Sequence, residues 1–304
     1  MKTALNISSE NKQSVSILKE FKEMTKMGLA LSVVFSTLAG YVLAVPDIRS
    51  INYMTIIALA VGGYCMVGAS NVYNQIIERD LDAKMNRTAN RPIASGRVKP
   101  TPAFILAVVL TLLGIGILYA INPKTAMFGA ISIFLYTSVY TPLKTITPLS
   151  VFVGAFPGAI PFMLGWVAET NNFGIEAGTL FLIQFFWQFP HFWAIGWFLF
   201  DDYKRGGFSM LPTGKKDNKT LTQIILYTIW LIIVSIFPVF NVTGRLYLTP
   251  IAAGLVLLAG IWMLTAAVKL YKQRTDKAAR ALMLVSVTYI SLIQIIYVLD
   301  KILR

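Results

Sequence analysis

The chain has 304 residues, of which 56% are hydrophobic and only 13% charged. A soluble protein of this length carries about 25% charged residues, so a water-soluble domain is excluded and a polytopic membrane protein is indicated. The net charge of +13 would suit nucleic acid, but the basic residues sit in alternate loops between apolar runs, which is the mark of membrane topology. The one cysteine, Cys65, lies inside an apolar run, so a disulfide framework is impossible and inert packing is its expected role.

Residues 1–26 are polar and mix lysines with Glu10, Glu20 and Glu23. No cleavable signal peptide is apparent, and a mitochondrial presequence would be Arg-rich and poor in acids, so a bacterial inner membrane is expected. Residues 14–26 have the pattern of a short amphipathic helix lying on the membrane surface. Nine apolar runs follow, near 27–45, 54–77, 103–121, 125–141, 149–168, 178–201, 221–240, 249–268 and 281–299. Each is long enough to span, at about 17–25 residues per crossing. With the N-terminus inside, only Arg49, Lys124, Arg245, Lys301 and Arg304 of the 27 basic residues fall outside. The chain therefore reads as one all-α membrane domain over 27–304, with nine transmembrane helices around a central cavity and its chemistry at the cytoplasmic mouth.

The second run ends in Asn71-Val-Tyr-Asn74-Gln75-Ile-Ile-Glu78-Arg79-Asp80-Leu-Asp82. On a helix, Asn71, Asn74, Glu78 and Asp82 fall within an arc of about 80°, with Asp80 turned away. Polar groups where an apolar helix leaves a bilayer are costly unless they meet water, a partner or an ion, so a site is the default reading. Carboxylate and amide oxygens suit Mg²⁺, which keeps several waters and binds substrate phosphates. Arg87 and Arg91 follow directly, and guanidinium is the usual partner of phosphate.

The fourth-to-fifth connection adds one lysine, Lys144, on the same side. The fifth run carries Gly154, Pro157, Gly158 and Pro161, small and bent, which lets helices approach closely. In the sixth run Gln184, Gln188, His191 and Asp202 share an arc of about 60°, while Asp201 lies off that face. Pro190 is expected to kink this helix. The second and sixth runs thus share a plan: apolar, then a polar face, then acid, then a loop rich in Arg, Lys, Gly and Pro. It suggests two acidic helix ends facing each other across one cavity.

These residues resemble the UbiA superfamily of intramembrane aromatic prenyltransferases. Its first motif, Asn-Asp-x-x-Asp-x-x-x-Asp, is matched as Asn74-Gln75-x-x-Glu78-x-x-x-Asp82, followed by Arg87-Thr-x-x-Arg91-Pro. The stretch from Asn74 to Thr88, together with Pro190-His191-Phe, Asp202-Tyr203 and Gly207-x-x-Met-Leu-Pro212, is most similar to the heme-farnesylating branch. Gln75 and Glu78 depart from the general pattern, and Arg205 stands four residues after Asp201, leaving the second acidic motif incomplete. The resemblance implies a Mg²⁺-dependent transfer from farnesyl diphosphate to a vinyl group of heme b, giving heme O. It implies metal ligation and catalysis by Asn74, Glu78, Asp82 and Asp202, diphosphate binding by Arg87, Arg91 and Lys144, and heme contact by His191. It also implies membrane lipids as surroundings and hand-over of product to a heme A synthase or a terminal oxidase.

Each assignment has a plainer counterpart. Asn74, Glu78 and Asp82 could be a solvated helix end, and Arg87 and Arg91 topology and headgroup charges. Lys144 is one isolated charge, Asp202 could pair with Lys204 or Arg205, and His191 could be a hydrogen-bonded interior residue. Rival functions are prenylation of 4-hydroxybenzoate or another quinone ring, and anion transport. Transport expects polar residues along the whole path, whereas here they gather at one end apart from Gln184, Gln188 and His191.

Overall fold

A computed structural model describes residues 16–304; residues 14 and 15 of the expected surface helix lie outside the described residues. The chain order is α1 (Ile17–Thr25), α2 (Met27–Ala44), α3 (Tyr53–Ile77), α4 (Arg79–Asp82), α5 (Pro100–Ile121), α6 (Pro123–Phe134), α7 (Thr141–Leu143), α8 (Ser150–Thr170), α9 (Ile175–Phe198), α10 (Phe200–Arg205), α11 (Asn218–Ile236), α12 (Pro250–Gln273) and α13 (Asp276–Leu303). No strand occurs among the described residues.

Eight of these segments are long and apolar enough to cross a membrane. The sixth apolar run forms α9, whose 24 residues reach about 36 Å, enough to cross. Its two glutamines and its histidine interrupt the apolar run, which sets it apart from those eight. Helix starts follow local chemistry. The side chains of Asn52, Asn122, Asp217, Thr249 and Thr275 each accept from a backbone N–H of the first turn. Pro100, Pro123 and Pro250 open helices, where a missing N–H costs nothing.

The helices pack as a bundle in which α2 lies against α3 and α8, α5 against α3, and α9 between α8, α11 and α13. The largest apolar cluster is centred on α8 and α9. A side chain at Gly40 or Gly165 would overlap the backbone of the facing helix, so α2 and α8 cross at a distance only glycine permits. With no aqueous phase to drive helix association in lipid, such close backbone packing carries the cohesion.

The short α1 is fastened to the bundle by its polar side. Asn71 Nδ2 donates to Thr25 O at 3.1 Å and Gln75 Nε2 to Met24 O at 3.1 Å. Arg97 bridges Glu20 at 2.9 Å and Glu23 at 2.6 Å. Ile17 and Leu18 stay exposed, as on an interfacial helix.

Candidate functional site

The site grows from the end of α3. Glu78 has φ −91° and ψ 6°, so α3 stops there and α4 begins. The ladder still runs through the joint, since Glu78 N donates to Asn74 O and Asp82 N to Glu78 O. The one-face arrangement therefore survives a break in the helix. Asn74 is 2% exposed, Glu78 3% and Asp82 0%. Three polar groups at such burial need partners.

Two of the partners are cations. Lys144 Nζ lies 2.7 Å from Glu78 Oε1, and Arg91 Nη1 2.7 Å from Asp82 Oδ2. Asp82 Oδ1 is buried with no hydrogen-bond partner, an oxygen that calls for a cation or a water. Burial pushes the Asp82 carboxyl above its ordinary value, against the pull of Arg91. Asn74 donates its amide to Thr141 Oγ1 at 3.3 Å, which turns its carbonyl oxygen to the other side.

Lys144 is delivered by irregular winding. Between α6 and α7, Leu135–Tyr140 form a π turn, and both the amide and the hydroxyl of Thr141 donate to the Tyr136 carbonyl. Pro142 cannot donate to the carbonyl four residues back, which favours the wider turn. The ammonium of Lys144 then sits over the Tyr140 ring at 4.5 Å, and Ser209 N donates to its carbonyl. The second basic loop is thereby tied to the lysine.

Asp202 lies beyond a second helix break, at Leu199, and is buried, whereas Asp201 is exposed. It accepts from Asn86 N at 2.9 Å, Arg87 N at 3.4 Å and Arg205 Nη2 at 2.5 Å. Burial works to raise its carboxyl, but these donors outweigh it and hold the group below the usual carboxylate range. Arg87 lies over the Tyr203 ring at 5.7 Å. Asp202 thus anchors the loop that carries Arg87, and its pairing with Arg205 matches the plainer reading given above.

The buried Asn74, Glu78, Asp82 and Lys144 meet the half-buried Arg91, and the backbone of Asn86 and Arg87, in the turn that follows Asp82, ties Asp202 to it. Among the described residues, no three acid, histidine or cysteine side chains gather as a metal cluster on their own. Each acid is drawn instead to its own cation. The shared face of α9 divides between neighbours. Gln188 donates to Ala155 O on α8, Gln184 accepts from Gln294 on α13, and His191 meets Ser286 on α13.

Sequence reasoning missed Lys26. It occupies the αL corner between α1 and α2, with φ 49°. Desolvation pushes its ammonium down to about 7, helped by Arg91, Lys144 and Arg87 and opposed by Glu78. The same charges that define the site therefore act on Lys26. In the sequence it reads as one more topology lysine before an apolar run. Thr141 was missed for a similar reason, because its partner Asn74 is remote in sequence.

A model of the UbiA prenyltransferase family matches residues 33–293. The protoheme IX farnesyltransferase of Flavobacterium psychrophilum is 70% identical over 289 residues, covering 95% of this chain and 96% of its own length. The solved structure of a digeranylgeranylglyceryl phosphate synthase shares the fold at a TM-score of 0.77 and 17% identity, over 94% of this chain and 99% of that one. A UbiA homologue from Archaeoglobus fulgidus, solved bound to GPP and Mg²⁺, shares it at a TM-score of 0.65 and 12% identity, over 94% and 100%. By sequence and by fold, the chain is a member of the UbiA prenyltransferase family.

Proposed function

We propose that this protein transfers farnesyl from farnesyl diphosphate to a vinyl group of protoheme IX, giving heme O, with its site toward the cytoplasm of a bacterial inner membrane. The observation that carries the donor chemistry is the buried meeting of carboxylate and amide oxygens with Arg91 and Lys144 at the end of α3. The acceptor is read from the 70% identical relative, which is a protoheme IX farnesyltransferase.

The donor set fits a hard divalent cation: the partnerless Asp82 Oδ1, the Asn74 carbonyl and Glu78 would hold Mg²⁺, while Asp202, expected from the sequence as a further ligand, has both oxygens engaged and fixes the adjoining loop instead. When bound, Mg²⁺ supplies charge neutralisation for the departing diphosphate. Arg91 and Lys144 exchange carboxylate oxygens for phosphate oxygens, and Arg87 closes over the same group from its loop. Lys26 adds a further ammonium, and diphosphate binding favours its charged form. The allylic cation left behind needs a dry enclosure. The phenylalanines of α8 and α9, with Phe185 5.2 Å from Phe156 and 5.1 Å from Phe189, supply apolar wall for the isoprenoid. His191 contacts the heme deeper in the membrane.

The test is incubation of purified protein with heme b, farnesyl diphosphate and Mg²⁺, followed by mass analysis of the pigment. The farnesyl carbon bonds to the vinyl terminus as diphosphate leaves, and a water then adds to the adjacent carbon with loss of a proton, so the expected product is heavier by one farnesyl and one hydroxyl. Unchanged heme b, with farnesyl found instead on a hydroxybenzoate offered in parallel, would overturn the reading.

A further inference from the structure

α9 and α13 meet around one imidazole. Ser286 Oγ lies 2.6 Å from the Met283 carbonyl oxygen and 2.8 Å from His191 Nδ1. A carbonyl can only accept, and a serine hydroxyl has one hydrogen, so that hydrogen is committed to Met283. Toward His191 the hydroxyl can then only accept, and Nδ1 must carry the ring's hydrogen. A neutral imidazole carries one N–H, so the lone pair lies on Nε2. Nε2 makes no hydrogen bond with any described residue, and His191 is only partly buried.

The ring is also held mechanically. Trp187, one helical turn before His191, stacks on it at 4.7 Å and 20° and donates its indole N–H to the Ser286 carbonyl at 2.6 Å. Phe192 meets the ring edge-on at 5.3 Å. Ser286 itself is fully buried. It lies ten residues into α13, which is about 15 Å along the axis and close to the middle of a ~30 Å hydrocarbon layer. This is the arrangement by which proteins prepare a histidine for a metal: one ring nitrogen donates to a fixed acceptor, and the other presents its lone pair.

We propose that Ser286 is a positioning residue that fixes His191 as the Nδ1–H tautomer and presents Nε2 as a dative ligand to the iron of the porphyrin acceptor. This rests on the heme reading above. His191 is the single histidine of the chain, so its ring can be read directly. In ¹⁵N-histidine-labelled protein without heme, nitrogen chemical shifts are expected to show Nδ1 protonated and Nε2 bare; an Nε2–H ring overturns the proposal without any substitution. Heme b titration followed in the Soret band then tests the consequence. Ser286→Ala is expected to weaken heme affinity about 10- to 100-fold, and Ser286→Thr to restore most of it. If His191→Ala leaves the heme spectrum unchanged, iron ligation by this residue is wrong. If His191→Ala abolishes the ligated spectrum while Ser286→Ala matches wild type in band position and affinity, the positioning role alone is wrong.

Discussion

The ends of α3 and α10 are built on one sequence plan yet use their acids in opposite ways. At α3, Glu78 and Asp82 each hold a cation, and Asp82 keeps one oxygen without a partner. At α10, Asp202 commits both oxygens, to the backbone of Asn86 and Arg87 and to Arg205. The first end keeps one oxygen open for the proposed cation, and the second fixes the loop that carries Arg87. Burial and acidity alone do not separate these jobs; what each oxygen already meets does.

The sharpest way to break the contrast is to remove the cation from one buried pair. Lys144→Met would leave Glu78 charged and unpaired, costing about 3–5 kcal/mol of stability. Adding Glu78→Gln is expected to recover much of the detergent melting temperature while activity stays absent. If the double variant melts no higher than Lys144→Met, the pair is not coupled. Asp82→Asn should lower kcat by about 10²–10³ with insertion intact, the scale of losing one preorganised electrostatic contact. Heme O yield within tenfold of wild type would remove Asp82 from the chemistry.

Asp202→Asn should have a smaller and different effect. It keeps an acceptor for one backbone N–H and loses charge-assisted bonds worth about 1.5–3 kcal/mol. Faster hydrogen exchange at Asn86 and Arg87, with the Mg²⁺ requirement unchanged, is the expected outcome; a shifted Mg²⁺ requirement with an unaltered loop would make Asp202 a ligand first. Because its carboxyl is held low, this anchoring is fully present above a pH of about 4 and is lost as pH falls through the depressed value. Lys26→Gln should raise KM for farnesyl diphosphate about tenfold, with kcat less affected. Smallest of all, Glu23→Gln loosens only the partly exposed arm of the Arg97 bridge to α1 and should cost less than about 1 kcal/mol in melting experiments.

The crossing helices were readable because a bilayer demands long apolar runs, and their observed ends lie within a turn or so of the expected ones. The Asn74–Glu78–Asp82 face was readable because the hydrogen-bond ladder continues past Glu78. The α9 face was not, since Gln188 and His191 answer to different neighbouring helices. Projection to Asp202 crossed the break at Leu199, which no propensity announced. Lys26 was hidden because its surroundings come from residues 78, 87, 91 and 144, all remote in sequence.

The wide turn at Leu135–Tyr140 holds more chain than an ordinary helical turn requires. Deleting one residue there would only close it to an ordinary turn, whereas adding one, with the surplus already taken up, would leave the fourth crossing just as apolar yet rotate everything after it by about 100°. Thr141 and Lys144 would swing out of phase with α3 while every amino acid of the cluster remained present. Activity of this chain is therefore exposed to a hazard that residue identity does not record: a single-codon insertion that preserves the cluster and membrane insertion but spoils the angular register of the ammonium. Full turnover by such an insertion variant would show that the register is unimportant.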